Sequence, residues 1–315
     1  MATPSPSSAA QHGAPTAVPG RPFGALLTAM VTPMSPGGAV DLDAAVRLAR
    51  YLVDHGHDGL VLNGTTGESP TTHAEEKAAL VAAVVEAVGD RAAVVAGAGS
   101  NDTDHAVRMA EQAAEAGAHG LLVVTPYYSR PTQHGLYEHM LRVAGSTDLP
   151  VMVYDVPGRT GLRIAESTYE RLAAHDQFVA CKDATGDLFA ASRLAASTGW
   201  AWYCGDDSLY LPFLAVGAAG LVGVASHVLG RELRDLTAAF DAGDTARALA
   251  IHRAVTPVIE AINGAGAQAV MAKAAVEALG LVDGRHLRLP QVPATDDEAA
   301  TVVAALERCG VLDPS

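Results

Sequence analysis

Lysine is nearly missing from this chain. Only Lys77, Lys182 and Lys273 occur among 315 residues, and the other eighteen basic residues are arginine. Positive charge is short overall, with 21 basic against 35 acidic residues and a formal charge of −14. Nucleic acids and anionic membranes both require a basic footprint, so neither is expected as a partner. Cysteine is equally sparse. Cys181, Cys204 and Cys309 stand far apart without CxxC spacing, which argues against a disulfide framework or a zinc ribbon and fits a reducing compartment. No apolar run approaches the roughly 18 residues that a membrane-spanning helix needs. The first 22 residues, rich in Pro, Ser and Ala, lack the apolar stretch of a signal peptide. A disordered tail and a cytoplasmic protein are the expectations.

Nucleotide and hydrolase signatures are missing too. GAGSND (97–102) begins like GxGxxG but has Asp102 where the third glycine belongs, and neither GxxxxGK[ST] nor GxSxG occurs. Ser226-His227 has no obvious acidic orienter. His55 and His57 form an HxH, but in a helix-to-strand turn without a third ligand, so a surface turn is expected and no metal.

What the chain does have is rhythm. Apolar runs at 25–31, 59–63, 93–98, 119–125, 149–155, 178–183, 201–205 and 220–225 are bounded by Gly or Pro and lack polar alternation. That is the pattern of strands buried on both faces of a parallel sheet. Between them lie amphipathic segments such as 42–56 and 74–89, with Asp41 and Asp102 or Thr103 as helix caps. Eight strand–helix units predict an α/β fold, a (β/α)8 TIM barrel over residues 23–242. Helical patterns at 245–262, 268–279 and 296–308 predict a C-terminal helical subdomain over 243–315.

In such a barrel the chemistry gathers at the C-terminal strand ends. Lys77 and Lys273 fall on helices, where an ion-paired, solvated role and a snorkelling role are expected. Lys182 lies inside the sixth apolar run. Its neighbour Asp183 should point to the opposite face, so it is a poor ion-pair partner. A desolvated lysine loses its proton more easily, and the neutral amine attacks ketones to give a Schiff base. Cys181 should face the strand–helix layer and serve packing. Tyr154 near the barrel mouth, Arg159 in the next loop, Tyr127 and Tyr128 after the fourth strand, and Thr65 and Thr66 after the second could shuttle protons or hold an anion. Each also has a purely structural alternative, a local hydrogen bond or a loop salt bridge.

Taken in order, NGTTGES (63–69), TPYYSRP (125–131), VYDVPGRTG (153–161) and CKDATG (181–186) resemble the dihydrodipicolinate synthase family of pyruvate-dependent class I aldolases. The likeness runs from about Phe23 to the C-terminus and includes LLTAMVTP, AGAG and the GDD at 205–207. It implies condensation of pyruvate with L-aspartate 4-semialdehyde, without a metal or organic cofactor, in a homotetramer. Carried over residue by residue, it implies that Lys182 forms the Schiff base and Tyr154 acts as general acid/base. Thr65 and Tyr128 would relay protons, Tyr128 into a neighbouring subunit's site. Thr66 would hold the pyruvate carboxylate and Arg159 that of the semialdehyde, with the backbones of Gly205 and Val222 lining the pocket.

Departures concern regulation. Ser69, Asn101 and Tyr127 match the site at which some relatives bind lysine as an inhibitor. Ala74, Lys77 and His105 replace histidine and glutamate residues typical of it, so inhibition is expected to be weak or absent. Asp155 stands where many relatives have Asn. Sister activities, N-acetylneuraminate lyase and 2-keto-3-deoxy-sugar aldolase, typically lack the arginine of GRTG, so Arg159 discriminates against them. A non-catalytic keto-acid-binding paralogue is disfavoured by the intact set Lys182, Tyr154, Thr65, Tyr128 and Arg159.

Overall fold

The computed structural model describes residues 20–264 and 267–313; residues 1–19 of the expected tail lie outside them. Eight parallel strands close into a barrel in chain order: β1 (Leu26–Ala29), β2 (Gly59–Leu62), β3 (Ala93–Gly97), β4 (Gly120–Val124), β5 (Val151–Asp155), β6 (Phe178–Asp183), β7 (Ala201–Cys204) and β8 (Gly220–Gly223). Closure comes from β8 pairing with β1, Leu27 against Val222. Every residue of β1, β2, β5 and β8 is buried, which is why these strands read as unbroken apolar runs.

Local chemistry sets the helices. Asp41 caps Leu42–Asp54 by accepting from Ala44 N at 2.9 Å, and Asp102 caps Thr103–Glu115. At the opposite end of the barrel from the strand C-termini, Asp58 ties the entry to β1. It accepts from Ala25 N at 2.8 Å and Leu26 N at 3.0 Å, and pairs with Arg234. Arg21 pairs with Asp241 at 2.7 Å.

Helices Thr245–Asn263, Gln268–Ala278 and Asp296–Arg308 follow the barrel, at almost the bounds that periodicity predicts. This C-terminal region is tied to the loop after β2 and to helix Ala74–Val88, which follows that loop. Lys273 pairs with Glu68 at 2.5 Å, and Arg288 with Glu76, also at 2.5 Å. Arg288 N further donates to Glu68 Oε2 at 3.0 Å.

Candidate active site

Tyr154 and Lys182 face each other across adjacent strands as register partners of β5 and β6. Lys182 Nζ lies 4.5 Å from the centroid of the Tyr154 ring. Both are buried, and Lys182 forms no ion pair among the described residues. Desolvation lowers its pKa to about 8, with the Arg159 cation acting in the same direction and the Asp207 carboxylate opposing. Burial pushes the Tyr154 hydroxyl up to about 12, against the pull of Arg159 and the Thr65 hydroxyl. The pair thus consists of an amine eased toward neutrality and a phenol that keeps its proton.

The carboxylates flanking this pair point away from it. Asp183 accepts from Trp202 Nε1 at 2.8 Å and Thr185 N at 2.8 Å, so it is no partner for Lys182. Asp155 accepts from Tyr169 OH at 3.0 Å and Ile164 N at 3.2 Å, while its other oxygen is buried with no partner among the described residues. Burial raises its pKa to about 7, with the nearby Asp183 carboxylate adding to the effect. Cys181 contacts Tyr169 OH on that same outer side, at 3.7 Å.

A cavity of about 230 Å³ opens over β2–β5, lined by residues including Thr65, Ser69, Tyr127, Tyr154 and Arg159. Gly97 and Gly99 line it as well. A Cβ at Gly97 would lie 2.3 Å from Asn63 O and one at Gly99 2.5 Å from Val124 N, so larger residues would displace its walls. This accounts for the glycines of AGAG. A smaller cavity of about 140 Å³ shares Thr65 and Arg159 with the first and adds Thr66, Gln268 and Gln291.

Not every residue singled out from sequence meets there. Lys182 does not line the larger cavity but stands beside Tyr154 on the next strand. Gly205 and Val222 sit at the ends of β7 and β8, and neither lines the two cavities. Tyr128 is 90% exposed, with φ at +69°. Asn101 is exposed and His105 half-buried at the start of helix Thr103–Glu115, outside the cavity that holds Ser69 and Tyr127.

Three expectations need correction. Lys77 is buried, not solvated, and donates to Ser69 O at 2.9 Å and to Thr72 O. Its charge is tied to loop carbonyls rather than presented to a ligand. Lys273 does not snorkel; it is 1% exposed and bound to Glu68 and to His286 O. His57 is buried rather than on a surface turn. Its Nδ1 bonds Leu52 O at 2.7 Å, and desolvation lowers its pKa to about 4. The described residues contain no cluster of metal-ligating side chains.

All three lysines are therefore buried, and two of them brace one loop. Lys77 and Lys273 hold the segment 63–72 from opposite sides of the chain order, while Thr32 Oγ1 donates to Gly67 O at 2.7 Å. The bracing holds a backbone that would otherwise relax, because Asn63 and Glu68 have φ of 56° and 57°. Left-handed geometry costs a non-glycine residue roughly 1 kcal/mol. Sequence reasoning missed Glu68 as the anchor. It also passed over Asp207, which is buried and accepts from Val224 N, Ala225 N and Asn263 Nδ2.

A closed parallel barrel with a desolvated lysine beside a tyrosine near its mouth describes a class of imine-forming enzymes. The profile of the Dihydrodipicolinate synthetase family matches residues 22–309, and the chain belongs to that family. It is 53% identical over 291 residues to a 4-hydroxy-tetrahydrodipicolinate synthase of Bifidobacterium animalis subsp. lactis, covering 92% of this chain and 95% of the relative. A relative of the same name from Kineococcus radiotolerans is 52% identical, at coverages of 95% and 97%. Among solved structures, a dihydrodipicolinate synthase of Bacillus anthracis superposes with a TM-score of 0.87 at 41% identity, covering 90% of this chain and 98% of that one. One from Cyanidioschyzon merolae, solved with lysine bound, gives 0.89 at 38% identity, with coverages of 92% and 99%.

Proposed function

We propose that this protein condenses pyruvate with L-aspartate 4-semialdehyde, through a Schiff base on Lys182, to give 4-hydroxy-tetrahydrodipicolinate for lysine and diaminopimelate biosynthesis. The observation that carries this reading is the pairing of Lys182, buried with no ion pair among the described residues, with the Tyr154 ring 4.5 Å away. Similarity to the named synthases supports the substrate pair.

In this reading the Lys182 amine adds to C2 of pyruvate, and the carbinolamine loses water to give the imine. Tyr154 supplies the proton that lets the hydroxyl depart as water, and Thr65 and Tyr128 return it. Tyr128, exposed on one chain, would act in the site of an adjoining copy within a homotetramer. Loss of a C3 proton gives the enamine, whose C3 bonds to the aldehyde carbon while the aldehyde oxygen takes up a proton. The substrate's own amine then attacks C2, closes the ring and releases Lys182. Thr66 would hold the pyruvate carboxylate, and Arg159, which lines both cavities, the semialdehyde carboxylate. The backbones of Gly205 and Val222 would shape the site from the ends of β7 and β8. The steps need only an amine and hydroxyl groups, so no metal or organic cofactor enters this scheme.

We place residues 23–242 as the catalytic barrel, 243–315 as a helical subdomain bracing it, and the protein in the cytoplasm. No described helix is long and apolar enough to cross a membrane. With His105 in place of a carboxylate, and Lys77 occupied by the loop, lysine should inhibit weakly or not at all. Steady-state assay of purified protein with pyruvate and aspartate semialdehyde, set against N-acetylneuraminate cleavage, tests the activity. Turnover of the sugar alone would overturn it.

A further inference from the structure

Arg159 forms no ion pair among the described residues, although its chain carries 35 acids. Among the described residues its one hydrogen bond runs from NH2 to Gln268 Oε1 at 3.3 Å. Gln268 Nε2 donates onward to Asn263 Oδ1 at 3.1 Å, and Asn263 Nδ2 donates to Asp207 Oδ2 at 3.0 Å. Asp207 ends the line, 1% exposed, where it also accepts from Val224 N at 3.0 Å and Ala225 N at 3.2 Å just after β8. The chain of bonds thus starts in the short helix Pro157–Thr160 after β5, crosses two half-buried amides of the C-terminal helices, and finishes at the ends of β7 and β8.

Its polarity is fixed at both ends. A guanidinium can only donate, and a carboxylate can only accept. Both amides must therefore lie head to tail, oxygen toward Arg159 and nitrogen toward Asp207, and a flip of either breaks a bond to a charged group. Such bonds are about twice as strong as neutral ones. The carboxylate that terminates the line is also the one whose charge favours the ammonium form of Lys182.

We propose that Gln268 and Asn263 are positioning residues that hold Arg159 in register with Asp207, so that the C-terminal helices set where the second substrate's carboxylate binds. The partner that orients Arg159 is a neutral amide, so no carboxylate of the described chain occupies the guanidinium ahead of the substrate's. An acidic partner in that place would have competed with the incoming carboxylate. The inference rests on the condensation activity proposed above and names residues outside the barrel that tune it.

The test is kinetic. Gln268→Met keeps the length of the side chain but removes acceptor and donor. It should raise the KM for aspartate semialdehyde roughly tenfold, leave the KM for pyruvate within about twofold, and leave borohydride trapping of pyruvate intact. Asn263→Ala should move the same constant in the same direction. Because either change breaks one line, the double variant should be no worse than the poorer single one. An unchanged semialdehyde KM in Gln268→Met, an equal rise in both KM values, or additive effects in the double variant would overturn the proposal. Should Asn263→Ala fail to fold, Gln268→Met and Gln268→Ala carry the test alone. Wild-type turnover is read alongside: its absence would overturn the proposed activity, whereas normal turnover with an unaffected Gln268→Met would overturn only the positioning roles.

Discussion

Lys273 Nζ and Glu68 Oε1 meet at 2.5 Å, both side chains almost wholly buried, although 205 residues separate them in the chain. The contact joins a C-terminal helix to the acid of the GTTGES segment, whose two threonines lie three and two residues before it. Glu68 holds a left-handed φ of 57° there, so the pair fixes a strained backbone beside the cavity.

Breaking that pair from one side should be costly. Among the described residues, Lys273→Met leaves the buried carboxylate only the Arg288 backbone N–H to satisfy it. The expected loss is about 3–5 kcal/mol of unfolding free energy. Lys273→Met combined with Glu68→Gln should recover a substantial part. Urea melts of the three proteins measure this, and equal stability of Lys273→Met and wild type would contradict it.

The rate of imine formation should follow the Lys182 amine. With its pKa lowered to about 8, roughly a tenth of the amine is free at pH 7, some 300-fold more than for an ordinary lysine. The pseudo-first-order rate of pyruvate adduct formation should therefore rise nearly tenfold per pH unit below 8 and level off above it. Quenched borohydride trapping across pH 6–10 reads this directly. A rise continuing to pH 10 would show an unperturbed lysine.

Asp155 should penalise the fold at alkaline pH. Its folded pKa, raised to about 7, exceeds the ordinary carboxylate value, so between about 4 and 7 the folded state keeps a proton that the unfolded chain has lost. Its contribution to stability is complete below pH 4 and is lost as pH rises through 7. Asp155→Asn cannot ionise. Its stability relative to wild type should rise by roughly 3–4 kcal/mol between pH 4 and 8, whatever constant offset the substitution brings. A difference that stays flat with pH would contradict this.

Strand order and the helix starts at Asp41 and Asp102 are legible in sequence because burial on both faces and side-chain caps are local properties. Even β6, with Lys182 inside it, reads as a strand, since the four residues before the lysine are apolar. The fates of Lys77 and Lys273 are not legible. An amphipathic helix says which face turns inward, but the carbonyls of Ser69 and Thr72 that receive Lys77 belong to a loop of irregular backbone. Lys273 finds Glu68 only once the C-terminal helices have docked. The same holds for Gln268 and Asn263, two ordinary amides whose meaning comes from Arg159 and Asp207 at either end. Asp207 did carry a signal, two adjacent acids after β7, which marks a place where one of them must find donors.

Borohydride reduction in the presence of pyruvate, followed by peptide mass mapping, identifies the lysine that carries the substrate. A single adduct is expected on Lys182, with full retention of that adduct in Lys77→Met and none in Lys182→Ala. An adduct on Lys77 or Lys273, or turnover undiminished in Lys182→Ala, would contradict it.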